Sequence, residues 1–213
     1  LDFRNNVIFN WQKRRLDGRP ESINVVKNYY KAGPASREHL NIVKMQPLDN
    51  GTFGKWYIQG NIVESHLQSR KRNGLVSIDA SNRSPESAMV DKPVDFAPVF
   101  TETAEVAYEN VLLYAGAIRP KRDSPDERIV REVRSGRTTF GNGIISSQAE
   151  VGGWPKLLST QPQPDIDADG MPDEWERRFS PNDDLALNGT LDSDGDGYTN
   201  VEEYLNNTNP NKE

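Results

Sequence analysis

Two twelve-residue segments near the C-terminus carry oxygen-bearing side chains at the spacing that wraps a hard cation. Loop 1 spans residues 165–176, and loop 2, which starts 27 residues later, spans residues 192–203. In both loops positions 1, 3, 5, 9 and 12 offer side-chain oxygen, a glycine at position 6 permits a sharp turn, and the carbonyl at position 7 adds a ligand. The ligands so assigned are Asp165, Asp167, Asp169, Met171 through its carbonyl, Asp173 and Glu176 in loop 1, and Asp192, Asp194, Asp196, Tyr198 through its carbonyl, Asn200 and Glu203 in loop 2.

Calcium is the cation that this pattern predicts. It takes about six to eight oxygen ligands, whereas magnesium demands a tight octahedron and rarely uses a cage made only of protein. One acidic loop could arise by chance, because Asp and Gly are also common turn residues. Two full matches indicate a pair of Ca²⁺ sites.

Neither loop has the sequence of a helix before it. Proline-rich sequence precedes loop 1, residues 188–190 precede loop 2, and helix is predicted only after the position 9 residues, at 173–179 and 200–205. Pro172 at position 8 also lacks the N–H through which paired regulatory loops bridge to each other. We therefore expect a structural role, in which calcium orders the tail and chelation loosens it, because the clustered carboxylates repel one another without metal.

The net charge of −6 is an average over two different regions. Residues 165–213 carry 14 acidic and 3 basic side chains, whereas the preceding residues carry 23 basic and 18 acidic ones. A net negative charge argues against nucleic-acid binding where it is spread evenly. No apolar run approaches the roughly 20 residues of a membrane span. The absence of cysteine excludes disulfides and thiolate metal sites.

Three stretches in the N-terminal region share one pattern: Asn, two β-branched residues, a variable residue, a small polar residue and a ring. Repeated short strands of this kind suit a solenoid of stacked parallel strands, in which asparagines at one turn position hydrogen-bond from coil to coil. An antiparallel sheet with Asn in its turns is the alternative that the pattern leaves open. The stretches are 6–11, 24–29 and 61–66.

Two helices are predicted after this region, and they complete the expected organisation. The first is capped by Thr101 and ends at Gly116, and the second starts with a capping box at Ser124 and ends at Gly136. The expected parts are coils and loops at 1–100, a helical and extended packing segment at 101–160, and the paired calcium-binding tail at 161–213.

Several segments, in order through nearly the whole chain, resemble the C-terminal half of a secreted bacterial pectate lyase of polysaccharide lyase family 1, of the kind found in Bacteroidetes. The resemblance implies an all-β fold: the later coils of a right-handed parallel β-helix, with packing α-helices and the tail of two calcium loop–helix repeats. The resembling segments are 2–11, 24–31, 115–117 with 122–123, 150–155 and 169–176.

The resemblance also implies cleavage of polygalacturonate, the acidic chain of pectin, by calcium-assisted β-elimination with an arginine as the base. The family's Arg-x-Pro-x-x-Arg-like segment does not occur, and Arg119-Pro120-Lys121-Arg122 is only superficially similar. No catalytic residue is therefore assigned. Because residues 16–21 depart from the family pattern, substrate contacts are unassigned as well. We expect the catalytic half and the rest of the parent β-helix to lie upstream of Leu1.

Two function hypotheses follow, beside the plainer interpretation of a calcium-ordered spacer on a cell-surface protein. The leading one is the C-terminal portion of a pectate-lyase-like enzyme that is secreted, periplasmic or on the bacterial cell surface and acts on an acidic polysaccharide. The alternative is a non-catalytic, calcium-dependent module for attachment or carbohydrate binding.

Overall fold

The fold consists of short strands followed by helices, as seen in a computed structural model. It describes residues 1–13, 15–37, 42–64, 76–78, 87–118, 121–157, 159–180 and 187–212. The strands are β1 (Asp2–Arg4), β2 (Val7–Phe9), β3 (Asp17–Gly18), β4 (Ser22–Val26), β5 (Tyr29–Lys31), β6 (Val43–Met45), β7 (Lys55–Gln59), β8 (Ile62–Val63) and β9 (Val76–Ile78). The helices are α1 (Ala104–Tyr114), α2 (Ser124–Ser135), a 3₁₀ turn (Gln148–Val151), α3 (Asp173–Phe179) and α4 (Asn200–Asn206).

The strands form three parallel sheets, and each turn of the chain contributes one strand to each sheet. The sheet orders are β1-β4-β7, β2-β5-β8 and β3-β6-β9. We call β1–β3 the first coil, β4–β6 the second and β7–β9 the third. Parallel strands stacked in this order, with few helices, fit a parallel β-helix, so the antiparallel alternative is wrong for the described strands.

Apolar side chains that alternate along the strands fill the space between the sheets. Val25 on β4 and Tyr30 on β5 are fully buried, and Ile58 on β7 lies over Val25 in register. At the third coil Trp56 forms a parallel bridge to Met89, which begins the next turn of backbone pairing. The core is therefore one stack of apolar side chains that continues from coil to coil.

A ladder of asparagines connects the three coils at the turn where each coil leaves the β1-β4-β7 sheet. The amide oxygen of Asn28 accepts from the backbone N–H of Asn6 at 3.0 Å and from its side-chain amide at 2.9 Å. The oxygen of Asn61 accepts the same pair of bonds from Asn28, at 3.0 and 2.9 Å. Asn28 is fully buried, so these bonds satisfy polar atoms that water does not reach.

The expected stacking of asparagines is thus present, but the predicted register is wrong. The sequence pattern aligns Asn24 with Asn6, whereas the structure pairs Asn6 with Asn28, 22 residues away, and Asn28 with Asn61, 33 residues away. Asn24 lies in β4 opposite Asp2, and its side chain bonds to the backbone of Val94 instead. Asn28 is the small polar residue inside the 24–29 stretch and is followed by two tyrosines and not by β-branched residues, so the pattern selects Asn24 in its place.

Helices α1 and α2 cover the outer face of the β2-β5-β8 sheet. Tyr108 of α1 stacks on Tyr29 with 4.4 Å between ring centroids. Lys31 is buried, and its ammonium group donates to Glu64 at 2.9 Å, to the Tyr108 hydroxyl and to the backbone carbonyl of Arg134 in α2. One lysine therefore holds both helices against the sheet.

Both predicted helix starts are off by one or two residues. The cap of α1 is Thr103, not Thr101, and its hydroxyl accepts from the N–H of Val106. The cap of α2 is Asp123, not Ser124, and its carboxylate accepts from the N–H of Asp126. Thr101 instead accepts from Arg4 on β1. The predicted ends are close, since α2 ends at Gly136 in the left-handed conformation.

The chain divides into two compact units, residues 1–155 and residues 156–213. The first contains the coils with α1 and α2, and the second contains both loops with α3 and α4. Among the described residues, no helix is both long and apolar enough to cross a membrane.

Replacing Asn28 with Ala tests the ladder. The substitution removes the acceptor of the Asn6 backbone N–H and the side-chain donor to the Phe3 carbonyl, whereas the amide oxygen of Asn61 keeps the backbone N–H of residue 28. Each buried unsatisfied group costs about 1–3 kcal/mol. We expect the free energy of unfolding to fall by roughly 3 kcal/mol, measured by urea denaturation with far-ultraviolet circular dichroism. Asn50→Ala, in an exposed turn, is the control and should cost under about 1 kcal/mol. Equal losses for both variants would show that the ladder does not carry the stack.

Candidate metal centre

Each loop brings three of its assigned aspartates together. Carboxylate oxygens of Asp165, Asp167 and Asp169 lie within 4.8 Å of one another in loop 1. The same separation holds for the first three acidic positions of loop 2, Asp192, Asp194 and Asp196. Either cluster could hold a metal ion. Exposed carboxylates can also cluster without one, so the surrounding contacts decide how well a cation fits.

The two loops share a scaffold of hydrogen bonds from backbone to carboxylate. The N–H at position 6 donates to the position 1 carboxylate, from Gly170 to Asp165 at 3.1 Å and from Gly197 to Asp192 at 2.9 Å. The N–H at position 7 donates to the position 5 carboxylate in the same way. The position 7 pairs are Met171 with Asp169 and Tyr198 with Asp196. Both loops are therefore folded into the same curve by their own backbone, and the aspartates face inward.

Positive φ angles at positions 4 and 6 make this curve possible. Gly170 and Gly197 at position 6 have φ of 96° and 99°. At position 4, loop 2 has Gly195 with φ of 82°, whereas loop 1 has Ala168 with φ of 58°. A residue with a Cβ in this region is strained by about 1–2 kcal/mol. Loop 1 therefore carries a strain that loop 2 avoids.

The carboxylate of Glu176, at position 12 of loop 1, is the strongest indication of a missing partner. Glu176 is fully buried, and among the described residues neither of its oxygens has a hydrogen-bond donor. Burial and, to a smaller extent, the negative charges of Asp167 and Asp169 together raise the pKa of Glu176 to about 7. A buried anion that faces other anions is costly unless a cation compensates it. A divalent cation inside loop 1 would supply that compensation.

Loop 2 shows the same feature at two assigned positions. The amide oxygen of Asn200 and one carboxylate oxygen of Glu203 are buried and without a hydrogen-bond partner among the described residues. Both residues lie on α4, with Asn200 fully buried. Oxygen acceptors in this arrangement match the preference of calcium for hard ligands.

The remaining assigned residues differ between the loops. Asp173, at position 9, already accepts from the N–H of Ile166 at 2.8 Å and lies 3.5 Å from Arg177. The position 7 residues make the same backbone hydrogen bond but differ in their surroundings, since Met171 is fully buried and Tyr198 is exposed.

The helices that follow the loops pack on a small apolar core. It consists of Met171, Trp175 and Leu187, with Val201 and Tyr204 of α4 packed against it. Helices α3 and α4 confirm the predicted helices after the loops, and the described residues directly before the loops, 159–164 and 187–191, contain no helix. The core fixes the first turn of each helix, which carries the position 9 and position 12 ligands.

Sequence reasoning missed a contact between the loop segments. The N–H of Gly189 donates to Asp169, 20 residues earlier in the chain. Residues 188–190 carry an ordinary turn sequence, and no spacing rule connects such a turn with a distant loop. The close approach of the backbones, which leaves no space for a side chain at residue 189, becomes visible only in the fold.

Arg122, in the described part of the segment 119–122, makes a contact that stabilises the fold. The guanidinium of Arg122 donates to the carbonyl of Ala115 at 2.9 and 3.2 Å and so closes the end of α1. Arg119 and Pro120 lie outside the described residues. Arg122 therefore has a local partner that explains its position without a catalytic role.

Comparisons with known proteins place the chain among named relatives. The Bacterial TSP3 repeat matches residues 192–213, which contain loop 2 and α4. The chain is 29% identical over 214 residues to "Probable pectate lyase C" of Aspergillus fumigatus and 30% identical over 220 residues to the protein of that name from Aspergillus terreus. The protein of the same name from Neosartorya fischeri is 27% identical over 215 residues.

These alignments cover nearly all of this chain but a smaller share of each relative. Each alignment covers 98% of this chain but only 48% of the relative. The chain thus spans about half the length of the curated relatives that it matches. These relatives are fungal, whereas the resemblance noted from the sequence is to bacterial enzymes.

The different residues at position 4 of the loops give a test of their backbone geometry. Ala168→Gly removes the strain at φ of 58° and should stabilise loop 1 by about 0.5 kcal/mol after the entropy of the added glycine is subtracted. Gly195→Ala introduces the strain in loop 2 and should destabilise it by about 1 kcal/mol. Hydrogen–deuterium exchange of peptides that span each loop measures both changes. Changes of the same sign would show that the two loops do not share this geometry.

Proposed function

We propose that this chain is the C-terminal portion of a pectate-lyase-like polysaccharide lyase, with a tail that calcium stabilises. The observation that carries the proposal is the similarity over 98% of the chain to proteins named pectate lyase C. The three stacked parallel sheets support the same conclusion, because they fit a parallel β-helix, for which we propose the right-handed form expected of such an enzyme. In this proposal residues 1–100 supply coils, 101–160 a packing segment and 161–213 the calcium-binding tail.

The unequal burial of the core supports further coils before the first one. Phe3 lies in register with Val25 and Ile58, and Ile8 lies in register with Tyr30. The residues of the second and third coils are at most 1% exposed, whereas Phe3 and Ile8 are only partly buried. Within the described part of the chain, no strand pairs with the outer edge of the first coil. A preceding coil would bury these side chains and pair that edge.

The charge distribution suits an acidic polysaccharide. Outside residues 165–213 the chain carries 23 basic and 18 acidic side chains, so its larger part is weakly basic. Such a surface favours the approach of a polyanion such as polygalacturonate. β-Elimination of that polymer requires a base that removes the C5 proton of a uronate. We place that base and its calcium ligands in the preceding half of the enzyme. We further propose that the enzyme is exported, from a bacterial or a fungal cell.

Polygalacturonate cleavage tests the lyase proposal. The 213-residue chain, shown to be folded by cooperative unfolding, should form no unsaturated oligogalacturonide in the presence of calcium, measured by ultraviolet absorbance of the product. A longer chain that includes the preceding coils should form it. Activity of the short chain equal to that of the long one would contradict the proposed division. Inactivity of both would contradict the lyase proposal.

For the tail we propose one Ca²⁺ in each loop. Two bound ions would change the charge of residues 165–213 from −11 to about −7. They would also provide partners for the buried oxygens of Glu176, Asn200 and Glu203. When bound, calcium supplies charge compensation and a fixed centre for the oxygen ligands. Its proposed role is to hold α3 and α4 in place.

Glu176→Gln tests the tail directly. The amide keeps the size of the side chain but removes the charge and one strong ligand oxygen, so loop 1 should lose at least tenfold in calcium affinity by titration calorimetry. Glu174→Gln is the matched control on the same helix, because Glu174 is exposed and pairs with Arg178. The control should bind two ions as the unchanged chain does. Equal affinities in both variants would exclude Glu176 as a ligand.

A calcium-dependent attachment or carbohydrate-binding module is the second candidate function. The observation that favours it is the compact unit at residues 156–213, which has its own apolar core. A binding module should retain affinity for pectin in the 213-residue chain and lose that affinity on chelation. Sedimentation with insoluble pectin, with and without calcium, distinguishes this function from that of a lyase portion that needs the preceding coils.

A further inference from the structure

The backbone of Gly189 hydrogen-bonds to both metal-binding segments. Its N–H donates to the Asp169 carboxylate of loop 1, and its carbonyl accepts from the N–H of Val201 in α4 at 3.1 Å. The neighbouring carbonyl of Asn188 accepts from the side chain of Asn200 at 2.8 Å. One short segment is thus connected on one side to a position 5 ligand and on the other to the helix that carries two ligands of loop 2.

This connection requires glycine because the backbones approach each other closely. A Cβ at residue 189 would lie 2.7 Å from the carbonyl oxygen of Asp169 and 3.2 Å from a carboxylate oxygen of the same residue. Gly189 is buried, whereas the next residue, Thr190, is exposed. A side chain at 189 would therefore push loop 1 away from the segment that leads into loop 2.

The bonds at Gly189 connect ligands of one loop with ligands of the other. Asp169 keeps free lone pairs for a cation, since a carboxylate has about four acceptor positions and two are used by N–H groups. A cation that fixes Asp169 also fixes Gly189 and, through Val201, the first turn of α4. That turn sets the positions of the Asn200 and Glu203 oxygens, which are buried and without partners in the described chain.

We propose that Gly189 couples the two loops, so that calcium in loop 1 raises the calcium affinity of loop 2 and calcium in loop 2 raises that of loop 1. The inference rests on the proposed calcium binding and adds its regulation. Coupling between sites is reciprocal and typically changes affinity by about 5- to 150-fold. The two loops then fill as a unit within a narrow range of calcium concentration.

A double-mutant cycle on the full chain tests the coupling. Asp196→Asn weakens loop 2 and keeps an oxygen that can accept from the N–H of Tyr198. In the chain with Gly189, this substitution should lower the affinity of loop 1 at least fivefold, measured by calcium titration calorimetry. In the Gly189→Ala background, the same substitution should change loop 1 affinity less than twofold. Thr190→Ala is the matched control and should preserve the fivefold effect.

A second measurement does not depend on how well Gly189→Ala folds. In the Asp196→Asn chain, calcium at a concentration too low to fill the weakened loop 2 occupies loop 1, and coupling predicts that this occupancy slows hydrogen–deuterium exchange of the α4 amides, Val201 among them. Unchanged exchange in α4 would overturn the coupling, as would two ions that bind the unsubstituted chain with independent affinities. Both results would leave calcium binding intact. If calorimetry detects no uptake by either loop, calcium binding itself is wrong, and the coupling is wrong with it.

Discussion

The buried amide of Asn28, held between Asn6 and Asn61, is the contact on which the stack of coils depends. Each coil must turn out of one sheet and into the next, and the turn leaves backbone groups in the interior where water does not reach them. The ladder satisfies these groups with side chains of the neighbouring coils. It also fixes which residues stack, because a shift in register would place apolar side chains where the amides now lie.

The tail has the same need for partners but does not meet it with its own side chains. The buried carboxylate of Glu176 and the buried oxygens of Asn200 and Glu203 lack donors among the described residues. In the coils the buried amide oxygens of Asn28 and Asn61 accept from amide N–H groups. In the tail the Glu176 carboxylate faces further carboxylates, whose charge a bound cation would compensate. Buried oxygen atoms thus need a partner in both compact units, an amide N–H group in the coils and, in our proposal, a cation in the tail.

Features set by local spacing could be predicted from the sequence. The loops follow from residues at positions 1 to 12, and α3 and α4 follow from the helical pattern directly after them. The ladder could be predicted in kind but not in register, because Asn24 follows the pattern whereas Asn28, which stands in the ladder, does not. The choice between them depends on coil lengths of 22 and 33 residues, which are set by loops of irregular length. Long-range contacts such as Gly189 with Asp169 have no signature in spacing.

The central claim is that calcium completes both loops of the tail, and anomalous diffraction from crystals grown with calcium tests it most directly. The account predicts two anomalous peaks, one among Asp165, Asp167 and Asp169 and one among Asp192, Asp194 and Asp196. Glu176 and Glu203 should each lie at about 2.3–2.6 Å from an ion. A tail in which the Glu176 carboxylate is buried without a neighbouring peak would contradict the claim.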